Sequence, residues 1–204
     1  MANDNSCKGI IKNALLYKNP ILVSGMVIAP VVVMANNFLD ALTLVSAFSL
    51  ITFFTLVVSS FVPKNIVYTI RIILYTIIGA LVYVPSVILL KYLMPEGVEA
   101  LGIFFTLFIT SSFIISRSES IFFLETKGKM FLDIIFCIIG YDMAVLLFAA
   151  IREILAFGTI GGTIIGMPVE MTAFQNPFGG FILLGLMAAL FRSILLFVKR
   201  VRQK

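Results

Sequence analysis

The chain of 204 residues has no histidine, no tryptophan and only two cysteines, and just 12% of its residues are charged. Each shortage excludes something. Without histidine there is no nitrogen ligand for zinc, haem or copper and no Ser/His/Asp triad, so a metal site would have to use oxygen or sulfur. Cys7 and Cys137 are too few and too far apart in sequence to make a disulfide framework. No paired carboxylates fall at catalytic spacing, so hydrolytic chemistry is not expected. Charge this scarce, against roughly 25% in a soluble domain, excludes an ordinary water-soluble fold.

What the chain does have is apolar surface: 61% of its residues are hydrophobic and its mean hydropathy is +1.13. Cutting at the charges leaves apolar segments near residues 20–37, 41–62, 72–93, 100–116, 131–151 and 177–197. A bilayer core of about 30 Å needs about 20 helical residues, so an all-α integral membrane protein with six transmembrane helices is predicted. Residues 1–18 read as an amino tail with no apolar cleavable signal, 19–198 as the membrane domain and 199–204 as a basic carboxyl tail.

With six spans, thirteen of the fifteen Lys and Arg residues fall on one side, leaving Lys91 and Arg152 on the other. The positive-inside rule then places both termini in the cytoplasm. The net charge of +5 does not point to nucleic acid, because the basic residues sit at segment ends rather than on one face.

Two segments differ from the rest. The uncharged run Asn19–Leu39 holds Pro30 near its middle, where a proline removes a backbone donor, and the short run 100–116 holds Ser111 and Ser112. Interrupted segments in matching positions of two three-helix halves are the mark of inverted repeats with a site at their centre, with spans one and four as broken half-helices. The alternative is a proline kink and two serines bonded back to carbonyls of their own helix.

The stretches "NPILVSGMVIAP" (19–30), "LLKYLMPEGVEALGIF" (89–104), "SSFIISR" (111–117), Asp133 with Gly140, and "IREILAFGT" (151–159) carry a resemblance in order and spacing. Together they resemble the Rnf/Nqr membrane subunits, the one called E in Rnf complexes and D in sodium-translocating NADH:quinone reductases, over about residues 12–197. The resemblance implies electron and ion transport in a bacterial cytoplasmic membrane. It also implies a paralogous six-span partner of opposite orientation, flavin and iron-sulfur subunits in the same complex, and a [2Fe-2S] cluster held by two cysteines from each of the pair. Those cysteine positions correspond here to Ala29, before Pro30, and Ser112, after Ser111, so both ligands are missing. A serine hydroxyl is a poor iron ligand beside a thiolate, and alanine has no donor at all.

Two accounts of the loss remain open. The chain is either a subunit that clasps its paralogue while electrons take another route, non-catalytic by itself within a translocase, or a scaffold reused as a stand-alone transporter or hydrophobic-ligand-binding protein.

Three further residues are candidates for an ion pathway. Asp142 lies nine residues past Asp133 and ten before Arg152, roughly 14 Å from each by helical rise, and so is expected near the membrane midplane. An ionisable group there costs about 2.5 kcal/mol or more unless paired, protonated or hydrated. The resemblance assigns Asp142 no role, because the family carries a neutral residue at this position. Arg152 and Glu153 match the family's Arg-Glu and are read either as the outer end of span five or as the border of an ion path. Being adjacent, they point to different faces of one helix and are not expected to pair. The glycine-rich stretch "GTIGGTIIGMP" (158–168) lacks the Lys-Ser/Thr ending of a phosphate loop and is read as an outer loop against a partner, with Asp40 and Glu170 as solvated loop charges.

Overall fold

A computed structural model describes residues 9, 15, 19–63, 65–121, 127–164 and 171–202. Most of the amino tail, Cys7, the end of the carboxyl tail, Glu170 and the part of the glycine-rich loop beyond Ile164 lie outside the described residues.

The elements in chain order are α1 (Ile28–Met34), α2 (Phe38–Ser59), α3 (Tyr68–Leu93), α4 (Pro95–Leu101), α5 (Ile103–Leu107), α6 (Ser112–Ile121) and α7 (Lys127–Phe157). A two-stranded antiparallel hairpin, β1 (Thr159–Ile160) and β2 (Thr163–Ile164), a 3-10 turn (Thr172–Phe174) and α8 (Pro177–Arg202) follow. Among the described residues, α2, α3, most of α7 and most of α8 are each long and apolar enough to cross a bilayer. The fold is that of an all-α integral membrane protein, the hairpin being two residues per strand.

The fourth expected span is a bent pair: α4 meets the helical stretch 103–119 at 72°, across Gly102, whose φ of 46° suits a residue without a Cβ. It begins earlier than the sequence reading placed it, at Pro95, whose ring fits the first helical turn. The first expected span is likewise no continuous helix. Residues 20–24 form a turn, Gly25 and Val27 take positive φ of 66° and 60°, and only then does the seven-residue α1 begin. The expectation that Pro30 breaks this span is corrected in detail. Pro30 sits in the first turn of α1, where its missing N–H has no helical acceptor in any case, and the break lies at Gly25–Val27. A β-branched residue at positive φ is strained, so Val27 has its conformation imposed by surrounding packing. The carboxyl tail expected to start at residue 199 continues α8 as far as Arg202.

The core is built on α2, which touches α1, α3, α4, α6 and α7. Its antiparallel neighbour α7 is fixed along its length: Phe38 meets Glu153, Ser49 meets Asp142, and the Phe53 and Phe131 rings are 5.4 Å apart. The fully buried Phe48 ring stacks on Tyr141 at 3.9 Å and lies 5.5 and 5.4 Å from Phe108 and Phe113. One ring therefore ties α2 and α7 to both sides of the α5/α6 interruption, and such aromatic pairs add about 0.5–1.5 kcal/mol each beyond their burial. In contrast, α3 and α8 turn long apolar faces outward, including Ile73, Ile77, Leu81 and Ile88 on one and Phe181, Leu186, Leu190 and Ile194 on the other. Exposed apolar area of this extent fits lipid or a partner subunit.

Candidate functional site

The outer-end reading of Arg152 and Glu153 as a helix terminus is replaced by a denser arrangement. Both are buried, Arg152 completely, one turn before the end of α7. Arg152 Nη1 donates to the carbonyls of Val32 and Ala35, which close α1. Its Nε donates to Phe174 O at 2.9 Å and its Nη2 to Asn176 O at 3.3 Å, on the approach to α8. The last carbonyls of a helix lack intrahelical partners and carry partial negative charge, so one planar guanidinium satisfies two chain ends at once. Gly180 on α8 makes this approach possible: a Cβ there would lie 3.0 Å from Val32 Cγ1 and 3.2 Å from Arg152 Cζ.

Glu153, turned about 100° around the same helix, does the converse. Its Oε2 accepts the Phe38 N–H at 2.8 Å, at the start of α2. Its Oε1 accepts Thr159 Oγ1 at 3.0 Å and the Gly162 N–H at 3.2 Å in the hairpin. A carboxylate at a helix amino terminus is favoured by the exposed N–H groups and the dipole. Among the described residues Arg152 bonds no carboxylate, as the face argument predicted.

The four loop positions are placed unequally. Pro30 is buried, Ser111 half-buried, and Ala29 and Ser112 exposed. Ser111 caps α6: its Oγ accepts the Ile114 N–H at 3.4 Å, while its carbonyl accepts the Ile114 and Ile115 N–H groups at 3.1 and 3.4 Å. The polar step inside that apolar run is thus, locally, a helix start.

Asp142, half-buried midway along α7, is faced by Ser49 of α2, whose Oγ lies 2.9 and 2.8 Å from the two carboxylate oxygens. Its carboxylate makes no bond to Arg152 or Glu153 among the described residues. A groove of about 410 Å³ between α2 and α7, lined by Ser46, Ser49, Phe53 and Ile138 among others, opens beside it.

Two charged clusters at the other end of the bundle were read from sequence as topology signals only. Arg71 grips Glu119 with Nε and Nη2 at 3.1 and 2.9 Å, and Tyr75 donates to the same carboxylate at 3.0 Å. Arg117 pairs with Asp133 at 2.6 Å. The only advance signal was opposite charge in segments that could adjoin, and nothing in the sequence says which pair meets.

The Rnf-Nqr membrane-subunit family matches residues 7–195. Over 136 residues the chain is 31% identical to the E subunit of the Na(+)-translocating ferredoxin:NAD(+) oxidoreductase complex of Acetobacterium woodii, covering 66% of this chain and 69% of that protein. Over 162 residues it is 29% identical to the E subunit of the ion-translocating oxidoreductase complex of Buchnera aphidicola subsp. Acyrthosiphon pisum, covering 71% and 70%. With interrupted first and fourth segments, a buried Arg-Glu knot and a match over nearly its whole length, the chain belongs to the Rnf-Nqr family of membrane subunits.

Proposed function

We propose that the chain is a membrane subunit of an ion-translocating electron-transfer complex of the Rnf/Nqr kind. In this reading it sits beside a paralogous six-span subunit of opposite orientation, and flavin and iron-sulfur subunits carry the redox chemistry. Its place is the bacterial cytoplasmic membrane, with both termini inside, in keeping with thirteen of fifteen basic residues on one side. The observation that carries the reading is the pair of interruptions in a helical membrane fold, at Gly25–Val27 in the first segment and at Gly102 and Ser111 in the fourth, with Ala29 and Ser112 exposed just past them.

The [2Fe-2S] cluster that the resemblance implies does not fit the residues present. Ala29 offers no donor atom, Ser112 offers only a hydroxyl, and Cys137 is buried in the core on α7. No electron step is therefore routed through this chain, and its role is to line and dock.

Affinity purification of the full chain from its native membranes tests the proposal. Recovery of a second six-span subunit of the same family together with flavoproteins is expected. A self-assembled protein that lacks those subunits and moves solute in liposomes would overturn it in favour of a stand-alone transporter.

A further inference from the structure

Hydroxyls recur along α2 at Thr43, Ser46, Ser49, Thr52, Thr55 and Ser59, about one per turn. Thr43, Ser46 and Ser59 donate back to carbonyls of their own helix, the ordinary arrangement for a helical hydroxyl. Ser49 instead donates to Asp142. Thr52 and Thr55 are fully buried, and their hydroxyls have no partner among the described residues; the same holds for the hydroxyl of Tyr141, the residue before Asp142. Buried polar atoms are nearly always satisfied, so three orphans on α2 and α7, two of them down the helix from Ser49, call for an explanation.

Spacings of three, three and four residues keep Ser49, Thr52, Thr55 and Ser59 within an arc of about 120° on α2 while descending about 15 Å. At the lower end the Ser59 Oγ is 3.1 Å from the Ser118 Oγ, next in chain to Arg117, which pairs with Asp133. At the upper end stands Asp142, to which the described residues offer one hydroxyl donor and no basic side chain. The one side chain shown to contact it, Ser49 of α2, is neutral. The charged pairs toward either end of α7 are roughly 14 Å away along the helix. A carboxylate so placed is held by a bound proton or a bound metal cation rather than by a salt bridge.

We propose that Asp142 and Ser49 form a binding site for a monovalent cation, a proton or a sodium ion, reached from the Arg117–Asp133 end of the bundle along the Thr52, Thr55 and Ser59 hydroxyls. A proton binds one carboxyl oxygen and leaves Ser49 donating to the other. A sodium ion takes both carboxylate oxygens and a Ser49 lone pair, the hydroxyl proton turning away, which is a hard-oxygen donor set. Use of this site as a step in translocation rests on the complex-subunit reading above, whereas cation binding does not. Labelling therefore fails or succeeds independently of which proteins co-purify.

The test treats the full chain in native membranes with a hydrophobic carbodiimide, which reacts with a protonated carboxyl in an apolar setting, and locates the adduct by peptide mass spectrometry. An adduct on Asp142 is expected, absent in Asp142→Asn. Protection by sodium chloride but not by choline chloride assigns sodium; indifference to sodium with loss of adduct as pH rises assigns the proton. The paired substitution Thr52→Val, Thr55→Val should keep the adduct but slow about tenfold, equivalent to about 1.4 kcal/mol on the barrier, the onset of protection from the Arg117 side, whether by added sodium or by a rise in pH. No adduct on Asp142 in the folded chain, or one indifferent to both sodium and pH, overturns the site. An unchanged protection rate in the valine pair overturns the route.

Discussion

Segment one and segment four are both apolar runs that fail to make one straight helix, yet they are held by different means. Segment one leaves its helix end to a charged side chain from 120 residues away: Arg152 gathers the α1 carbonyls from outside. Segment four is held by its own Ser111, which caps α6, and by Phe108 and Phe113 packing on Phe48 of α2. The carbonyls that end α1 take a donor from the side chain of another element, and a long guanidinium reaches two of them together. An amide end, by contrast, can be satisfied by a hydroxyl in the adjoining residue. The first device makes the geometry of segment one depend on α7 and α8 together. The second lets segment four keep its turn so long as the aromatic cluster keeps its place.

That contrast orders substitutions at three positions. Arg152→Met removes the cation at the α1 end and strands several buried carbonyls, so a loss of about 3–5 kcal/mol is expected, read as a collapse of thermal stability in detergent. Arg152→Lys should recover only part of it, since an ammonium cannot fork to carbonyls on two sides; full recovery would mean that charge alone holds segment one. Phe48→Ala should cost about 3 kcal/mol through a cavity shared by α2, α7 and the α5/α6 break. Limited proteolysis should then open the chain near residues 108–111, and cleavage first at residues 25–27 would reverse the assignment of Phe48 to segment four. Ser111→Ala should cost only about 0.5–1 kcal/mol, the usual loss of a hydroxyl cap, with the bend retained. A change as large as that of Arg152→Met would show that segment four is held by its cap rather than by its rings.

Local information made the helical segments, the existence of two interruptions and Asp142 legible, because each is written in a short window of apolar run, hydroxyl or lone charge, although Pro30 lies inside α1 and not at the break. Arg152 and Glu153, read either as the outer end of span five or as the border of an ion path, do lie near that end but are buried, and nothing near residue 152 says that the end of α1 lies against one face and the start of α2 against the next. Arg71 and Arg117 read as topology signals for the same reason, their acidic partners lying on other helices.

By itself the sequence determined that this is a helical membrane protein and that its first and fourth apolar runs are interrupted, because hydrophobic length and backbone donors act locally and need no neighbour; the breaks themselves fall at Gly25–Val27 and Gly102. The tertiary structure alone decided which carbonyls surround Arg152, which amides meet Glu153, and that Ser49 rather than a basic residue faces Asp142. In a bilayer a buried polar group cannot fall back on bulk water, so its meaning is set by whichever atoms the packing brings within about 3 Å.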